Sequence, residues 1–482
     1  MHPRSKPPRS AFSLFLGSLA LLAGLATSAP AAEASWKAGT ATTDITPAPG
    51  QWMSGFGNRT RPADGTLHPI FVKVVALEDA AGHRAIIMSS DLLGIPQSIY
   101  NNTCAALKQK FRLEPDQIML NASHSHCTPV LRNALLDAYP IPDAQRQSQI
   151  DIINRYSTEL EGKIVDTVGR ALAALAPARL SSGEGITRFA VNRRHNLESA
   201  VSKIRDNNAL KGPVDFAVPV LSVTDLNGQL KAVVFGYACH NTSLSIYQWA
   251  GDYAGFAQMA LEASHPGAVA MFYMGCGADQ NALPRPGINV SERYGQMLAS
   301  AVEEVLLQNP TPLAPTLATA HAFTTLPFGD ELTVDELEKL AADPRGSSHR
   351  WAARLLAEAK AGKKFDRSYP YPLQAWLLGG RQLWITMGGE VVVDYSLRFK
   401  REFGVNTWVG AYCNDVMAYI PSARILKEDK PPRLPLPRSG YEGNTAMYVY
   451  GLPTHRWADP VEDLIAASVK QLVARVRAEA AR

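Results

Sequence analysis

Short apolar runs that alternate with amphipathic segments constrain the fold of this chain more than any other feature of its sequence. Runs such as FVKVVALED (71–79) and KAVVFGYA (231–238) lie between Gly, Pro and Asp residues, as buried strands do. Between these runs, apolar residues recur with a helical period, as in residues 146–175. Strands that alternate with helices predict an α/β or layered α+β fold, in which mixed β-sheets are flanked by helices. TAMYVYG (445–451) is also predicted to be a strand.

The first 31 residues have the three parts of a secretory signal peptide: a basic start, an apolar run, and small residues around Ala29 and Ala31. The apolar run is shorter than the ~20 residues that a membrane span needs. We therefore expect a signal peptide at 1–31, export to the periplasm or secretion, and one large domain over 32–482.

Charge and cysteine content exclude some functional classes. The formal net charge of +4 comes largely from the basic leader, so the mature chain is nearly neutral and gives no electrostatic argument for nucleic-acid binding. Five cysteines are too few, and odd in number, for a disulfide framework. We expect them to be buried as small apolar residues or to form one disulfide. The oligomeric state is not predicted.

Ligand-type side chains follow three of the predicted strands. His124 and His126 come directly after the run QIMLNAS, His240 follows KAVVFGYA after Cys239, and Glu390 follows WITMGG. Residues two apart in an extended chain point to the same side, so both imidazoles of the pair would enter one pocket. Two histidines and one carboxylate are a familiar donor set for catalytic zinc. The sequence therefore predicts a zinc site at the ends of the strands.

Each of these residues also has an ordinary structural explanation. A lone histidine is usually a hydrogen-bonded core or surface residue, and Glu390 stands where a carboxylate at a helix start would interact with the helix dipole. Asp252 would either cap the helix that follows it or hold a ligand histidine in its tautomer. The residues alone leave these alternatives open.

These segments together resemble the neutral/alkaline (non-lysosomal) ceramidase family. The matches occur in the family's order and cover most of residues 36–455. They are ATTDITPAPG (41–50), NASHSHCTP (121–129), NRR (192–194), GYACHNTS (236–243), GDYAGFA (251–257), GCGADQN (275–281), MGGE (387–390), the group Tyr412, Asn414 and Tyr419, and YEG (441–443).

The resemblance implies a zinc-dependent hydrolase that cleaves an N-acyl amide, either ceramide or a related N-acyl lipid, to a fatty acid and an amine. It assigns one zinc ion to His124, His240, Glu390 and Tyr419. It implies that His126 stabilises the oxyanion or transfers a proton. It also implies that Arg193 and Tyr441 contact the polar head of the substrate. A lipid substrate would also bring the protein into peripheral contact with a membrane. Tyr419 is a ligand by resemblance alone, because the residue itself is equally consistent with core packing.

Two departures from the family's pattern affect the expected chemistry. The family has a serine in a G-D-x-S-P-N loop, whereas this chain reads GCGADQN, with Asp279 at the serine position. Asp279 would either take the proton of the attacking water as a general base, with His126 and Tyr441 bonding the oxyanion, or be structural. The family's C-terminal β-sandwich-type domain is expected to be absent.

Two other functions compete with the metallohydrolase. In the first, Cys276 is the nucleophile of a hydrolase and His124 or His126 is its base, although an oxidising compartment disfavours a free reactive thiol. In the second, the protein binds a lipid or a cell-wall fragment without turnover. The retention of several costly polar groups in the apolar segments argues against the second.

Overall fold

The computed structural model describes residues 35–344, 348–430 and 436–481, so the predicted signal peptide at 1–31 lies outside the described residues. Residues 35–482 form one compact unit. Among the described helices, none combines the length and the apolar character that crossing a membrane requires.

The strands are numbered here in chain order, and many of them end at, or one residue before, a Gly, Pro, Asp or Asn, as their sequences predict. They are β1 (Trp36–Asp44), β2 (Gly65–Thr66), β3 (Phe71–Glu78), β4 (Arg84–Ser90), β5 (Ile118–Ala122), β6 (Ala176–Ile186), β7 (Ala190–Asn192), β8 (Ala217–Asp225), β9 (Leu230–Tyr237), β10 (Gln248–Trp249), β11 (Val269–Met274), β12 (Gln280–Ala282), β13 (Thr311–Leu313), β14 (Leu317–Pro327), β15 (Ser368–Leu378), β16 (Gln382–Met387), β17 (Glu390–Val391), β18 (Trp408–Gly410) and β19 (Tyr419–Ile420).

Most of the helices bury an apolar face in the protein core. They are α1 (Gln97–Phe111), α2 (Asp143–Ala173), α3 (Val201–Asp206), α4 (Asp252–Ser264), α5 (Ile288–Leu307), α6 (Val334–Ala341), α7 (His349–Lys360), α8 (Val393–Phe403), α9 (Ala423–Glu428) and α10 (Val461–Ala480).

Two mixed sheets form the centre of the molecule. The larger has the strand order β11-β9-β8-β6-β1-β3-β4-β5, with β13 paired to β6, and the smaller has the order β14-β15-β16-β18. Most pairs are antiparallel, but β9 with β11, β4 with β5, and β16 with β18 are parallel. The predicted fold class, mixed β-sheets flanked by helices, is therefore confirmed.

Alternation of side chains along the strands produces four layers. On β3, Val72 and Val74 pack with the helical residues Leu160 and Ile164 of α2. The next residue, Val75, faces the opposite way, into a cluster that contains tryptophans of the smaller sheet. The other face of the smaller sheet packs against α8 and α10. The order of layers is thus helix, larger sheet, smaller sheet, helix.

Asn121 links three strand ends at the edge where the two sheets meet. Its side chain is fully buried at the end of β5; Oδ1 accepts a hydrogen bond from the amide of Met274 on β11 (2.9 Å), and Nδ2 donates to the carbonyl of Ala411 after β18 (2.7 Å). The edge strands β5 and β11 of the larger sheet are thereby held together. The residue lies three positions before His124, so it also fixes where that imidazole emerges.

We expect Asn121→Ala to lower the free energy of unfolding by about 2–4 kcal/mol, since it leaves a buried donor and a buried acceptor without partners. Denaturant unfolding measures the loss. Asn101→Ala, at an exposed position of α1, is the matched control and should change stability by less than ~0.5 kcal/mol. A loss below ~1 kcal/mol in Asn121→Ala would show that the strand ends do not depend on this side chain.

TAMYVYG is not a strand, which corrects the sequence prediction. Residues Thr445–Tyr450 form a 3₁₀ helix and pair with no strand in the part of the chain that the structure describes. Met447 is buried in the core, whereas Val449 and Tyr450 line cavities next to the predicted metal ligands. An apolar segment that packs over a site can have the same composition as a strand. It lacks the neighbouring strand whose hydrogen bonds would make it one.

Candidate metal centre and active site

The predicted ligands come together where several strands end. His124 and His126 follow β5, and His240 follows β9. Glu390 opens β17 after the glycine pair that ends β16, and it pairs directly with Tyr419 on β19. The carboxyl ends of β5, β9 and β16 therefore deliver side chains from three distant parts of the sequence to one place.

Three imidazoles and one carboxylate converge within hydrogen-bonding distance. The Nε2 atoms of His124 and His240 are 3.3 Å apart, and Nε2 of His126 is 3.1 Å from that of His124. Glu390 Oε2 lies 3.2 Å from His124 Nε2 and 3.3 Å from His240 Nε2. The three histidines form a group that could hold a metal ion.

Backbone carbonyls fix the tautomers of two of these histidines. His124 Nδ1 lies 2.7 Å from the carbonyl oxygen of Leu93, and His240 Nδ1 lies 2.8 Å from that of Gly277. A carbonyl oxygen only accepts, so each Nδ1 carries the hydrogen and each Nε2 presents a lone pair. Two lone pairs and a carboxylate oxygen that face one another repel unless a cation lies between them. The donor set therefore fits a metal ion.

The local electrostatics favour the protonation states that metal binding needs. Burial, and then the charge of Arg193, lowers the pKa of His240 to about 3. Neutral imidazoles and an ionised carboxylate are the ligand forms that bind a metal.

The backbone at the site is strained. His124 has φ 61° and Tyr412 has φ 54°, in the left-handed region that bulky side chains rarely occupy. The amide of His124 donates to the carbonyl of Leu92 (2.8 Å), which holds the residue in that conformation. Strain of this kind persists where the surroundings over-determine it, commonly at functional sites.

His126 is held differently from the other two histidines. Its Nδ1 has no hydrogen-bond partner among the described residues. Instead, Phe56 contacts the ring edge-on (centroids 4.8 Å apart), Arg59 donates to the backbone carbonyl of His126 (2.7 Å), and Gly55 packs directly against the ring. The imidazole is therefore positioned largely by packing, and no backbone carbonyl among the described residues fixes its tautomer.

We expect Gly55→Ala to displace His126 and lower kcat/KM by about 10²-fold, as misplacement of a reacting group by 1 Å can do, with the metal content unchanged. A Cβ at Gly55 would lie 2.4 Å from Cγ of His126, and the residue has φ +98°. Gly57→Ala is the control, because a Cβ there meets no atom within 4 Å. Equal activity in the two variants, measured with metal-loaded protein, would contradict the role of Gly55.

Arg193, Tyr419 and Tyr441 lie beside the cluster. Arg193 Nη1 is 3.4 Å from His240 Nε2, and its Nη2 donates to the hydroxyl of Tyr419 (3.3 Å). Tyr419 Oη is 3.5 Å from His240 Nε2, and the Tyr441 ring packs edge-on against the Tyr419 ring at 5.4 Å. Glu442 holds Arg193 by accepting from Nε at 2.9 Å. These positions agree with the roles that the resemblance implies, which stay predictions.

Asp279, for which the sequence left the roles of general base and structural residue open, contacts a helix start next to the site. Its Oδ1 accepts from the amide of Val393 at the start of α8 (2.9 Å), and its Oδ2 accepts from Asn192 (3.1 Å). Burial raises its pKa to about 7. None of these contacts reaches an imidazole or Glu390, so Asp279 supports a helix start next to the site. The loop sequence alone could not distinguish these two roles.

Asp252 is not the partner of a ligand histidine either. Its carboxylate accepts from the amides of Ser243 (3.1 Å) and Leu244 (2.8 Å), which fixes the loop that follows His240. Both ligand histidines are oriented by backbone carbonyls instead. Of the two alternatives for Asp252, orientation of a histidine is therefore wrong.

Cys276 is not in a position to act as a nucleophile. All five cysteines are free, so no disulfide forms, and four of them are buried. Cys276 is fully buried in the core, and burial raises the pKa of its thiol well above the usual value. A thiol nucleophile needs a lowered pKa and access to substrate, so the structure contradicts the thiol hydrolase.

A cavity of about 260 Å³ opens onto the cluster. Its wall contains residues that sequence reasoning missed, of which Tyr450 is the most important because its hydroxyl donates to Glu390 Oε1. The side chains that line it, besides His124, His126 and Glu390, are Leu93, Leu135, Ala138, Tyr139, Tyr419, Tyr441, Tyr448, Val449 and Tyr450.

Known proteins are similar to this chain in sequence and in fold. Residues 36–275 match the family model described as neutral/alkaline non-lysosomal ceramidase, N-terminal. The neutral ceramidase of Pseudomonas aeruginosa is 29% identical over 241 residues, which are 49% of this chain and 34% of that protein. The matched region thus spans about a third of that relative.

Two solved structures share the fold over most of this chain. A ceramidase complexed with C2 superposes with a TM-score of 0.66 at 18% identity, covering 92% of this chain and 75% of that one. The neutral ceramidase of Pseudomonas aeruginosa gives 0.65 at 19% identity, covering 93% and 75%. The matched residues 36–275 include His124, His126, Arg193 and His240. The chain belongs to the neutral/alkaline non-lysosomal ceramidase family.

Proposed function

We propose that this protein is an exported, zinc-dependent hydrolase that cleaves the amide bond of an N-acyl lipid, ceramide or a relative of it, to a fatty acid and an amine. The observation that carries the proposal is the convergence of the His124 and His240 lone pairs with Glu390 Oε2, within 3.3 Å of one another. Family membership supplies the reaction class.

One zinc ion would be held by His124, His240 and Glu390, with Tyr419 as the fourth protein ligand. Nitrogen and carboxylate donors in this number are those that catalytic zinc prefers. When bound, zinc supplies a Lewis acid that polarises the amide carbonyl and acidifies a water molecule. Tyr419 supports this assignment by lying 3.5 Å from His240 Nε2.

Proton transfer, oxyanion binding and substrate orientation would be carried out by His126, Arg193 and Tyr441. His126 Nε2 lies beside the ligand atoms, so it would hold or move a proton there and hydrogen-bond the oxyanion as the carbonyl is attacked. Arg193 and Tyr441 would orient the polar head of the substrate. Water adds to the carbonyl carbon, the carbon–nitrogen bond breaks, and the amine leaves with the proton. Asp279 takes no part in this sequence.

The lining of the cavity supports an amide with apolar arms. Leucine, valine and alanine side chains alternate with tyrosines whose rings are apolar and whose hydroxyls are polar. Glu390 is the only acidic residue among them. Such a wall suits a substrate with hydrocarbon on both sides of a small polar centre, and disfavours a cationic peptide.

Metal analysis joined to a substrate screen tests the proposal. We expect about one zinc per chain by mass spectrometry, and hydrolysis of N-acyl lipids that stops after chelation and returns with zinc. Cys276→Ser should leave hydrolysis intact. Absence of zinc after metal-replete expression would refute the metallohydrolase, and bound zinc without turnover of any N-acyl amide would favour a binding protein.

A further inference from the structure

The two carboxylate oxygens of Glu390 face different partners. Oε2 lies 3.2 Å and 3.3 Å from the two ligand imidazoles and also accepts a hydrogen bond from the hydroxyl of Tyr412 (3.3 Å). Oε1 accepts a short hydrogen bond from the hydroxyl of Tyr450. Oε2 therefore faces the candidate metal centre, whereas Oε1 is held by Tyr450.

Tyr450 is carried by a segment that forms a wall of the substrate cavity. It ends the 3₁₀ helix Thr445–Tyr450, and it lines both the catalytic cavity and a neighbouring cavity of about 350 Å³. Val449 lines the same two cavities. The hydrogen bond to Glu390 thus comes from a residue that is also in position to touch the substrate.

Helix α7 braces this wall. Arg354 donates from Nη2 to the carbonyl of Gly451 (3.0 Å), the residue after Tyr450, and from Nε to Asp137 (2.7 Å). Arg350, one turn earlier, donates to the carbonyls of Asp137 and Ala138 (2.9 Å each). The same helix therefore holds both the loop around Asp137 and the segment that carries Tyr450.

We propose that Tyr450 is a positioning residue: by donating its hydroxyl hydrogen to Oε1, it leaves Oε2 as the single oxygen of Glu390 that is available to the metal. This inference rests on the proposed metal site. The terminal torsion of a glutamate is broad, so an unrestrained carboxylate can turn and bind through both oxygens. Binding through both would fill the coordination position that a catalytic site keeps open for water or substrate.

Tyr450→Phe tests this, because it removes the hydroxyl and keeps the ring that lines the cavity. We expect the dissociation constant for Co²⁺ or Zn²⁺, measured by competition with a chelator, to rise 10- to 100-fold, the usual effect of losing a hydrogen bond to a ligand. The visible bands of the Co²⁺ protein should weaken as the coordination number increases. In the zinc-loaded enzyme kcat should fall while KM stays within about threefold, because the ring remains.

Two further variants separate the hydrogen bond from the packing of the segment. Val449→Ala disturbs the same segment without touching Glu390, and it should keep the wild-type metal affinity and Co²⁺ spectrum. Arg354→Ala removes the brace at Gly451 and should shift both readouts in the direction of Tyr450→Phe, but less. This ordering of the three variants would support the role of Tyr450.

The inference is overturned if wild type binds Co²⁺ while Tyr450→Phe has an unchanged affinity and spectrum. It is also overturned if Val449→Ala weakens binding as much as Tyr450→Phe, since packing alone would then explain the effect. Failure of wild type to bind Co²⁺ or Zn²⁺ would instead refute the metal site itself, and the role of Tyr450 with it.

Discussion

His240→Ala is expected to purify without zinc and to lose about 10³-fold or more of its hydrolase activity, since the metal supplies several kcal/mol of transition-state stabilisation. The hydrogen bond of His240 Nδ1 to the carbonyl of Gly277 leaves Nε2 with a lone pair that can bind a metal. Metal content by mass spectrometry and hydrolysis of an N-acyl lipid measure the two losses. Retention of one zinc per chain in this variant would contradict the assignment.

His126→Ala should behave differently, although the Nε2 atoms of His126 and His240 lie at similar distances from Nε2 of His124 (3.1 Å and 3.3 Å). Because no backbone group fixes its tautomer, we expect the variant to keep its zinc and to lose about 10²- to 10⁴-fold in turnover, as the loss of an acid or base does. Loss of zinc from both variants would mean that three histidines bind the metal. Full activity in His126→Ala would remove this residue from the mechanism.

Much of the fold follows from local pattern. Runs such as β3, β5 and β9 have enough consecutive apolar residues to predict buried strands, and α2 has a clear helical period. Strand β6 reads APARLSSGEGI and has no apolar run. It is a strand because β1 and β8 pair with it on either side, so its state depends on partners that are distant in sequence.

Some residues of the candidate site could likewise be predicted from local sequence, and others could not. His124, His240 and Glu390 were predictable because each is a polar residue directly after an apolar strand. Tyr450 was hidden, because its segment looks like a strand and its partner Glu390 lies 60 residues away. The contacts of Asp279 could not be predicted either. A carboxylate after a strand has the same local sequence whether it binds water or accepts a hydrogen bond from an amide at a helix start.

Arg194 presents the clearest case of a residue whose importance only long-range contacts reveal. It follows Arg193 directly and is fully buried, with no exposed surface. Its guanidinium donates to Glu442 (2.6 Å), Glu428 (2.8 Å) and Asp429 (2.8 Å). Glu442 in turn holds Arg193 beside the candidate metal centre, so the network couples stability to the position of a residue that we expect to bind the substrate.

Arg194→Ala is therefore expected to lower the free energy of unfolding at neutral pH by about 3–5 kcal/mol, because it leaves carboxylates buried without their counter-charge. Arg170→Ala removes the exposed pair with Asp166 and should cost less than ~1 kcal/mol. Denaturant unfolding of both variants against wild type makes the comparison. A similar, small loss in both would mean that water or the remaining arginines can replace Arg194.

The pH dependence separates this mechanism from simple loss of packing. Burial alone would raise the pKa of Glu442, but Arg193, Arg438 and Arg194 lower it, so in wild type its contribution is complete above about pH 4.5 and is lost as the pH falls further. Without Arg194 the pKa of Glu442 rises, because one of the charges that lower it is gone, and protonation then removes its buried negative charge. The deficit of Arg194→Ala should therefore shrink between about pH 7 and pH 5. A deficit that stays constant over this range would point to packing alone, because lost van der Waals contacts do not titrate.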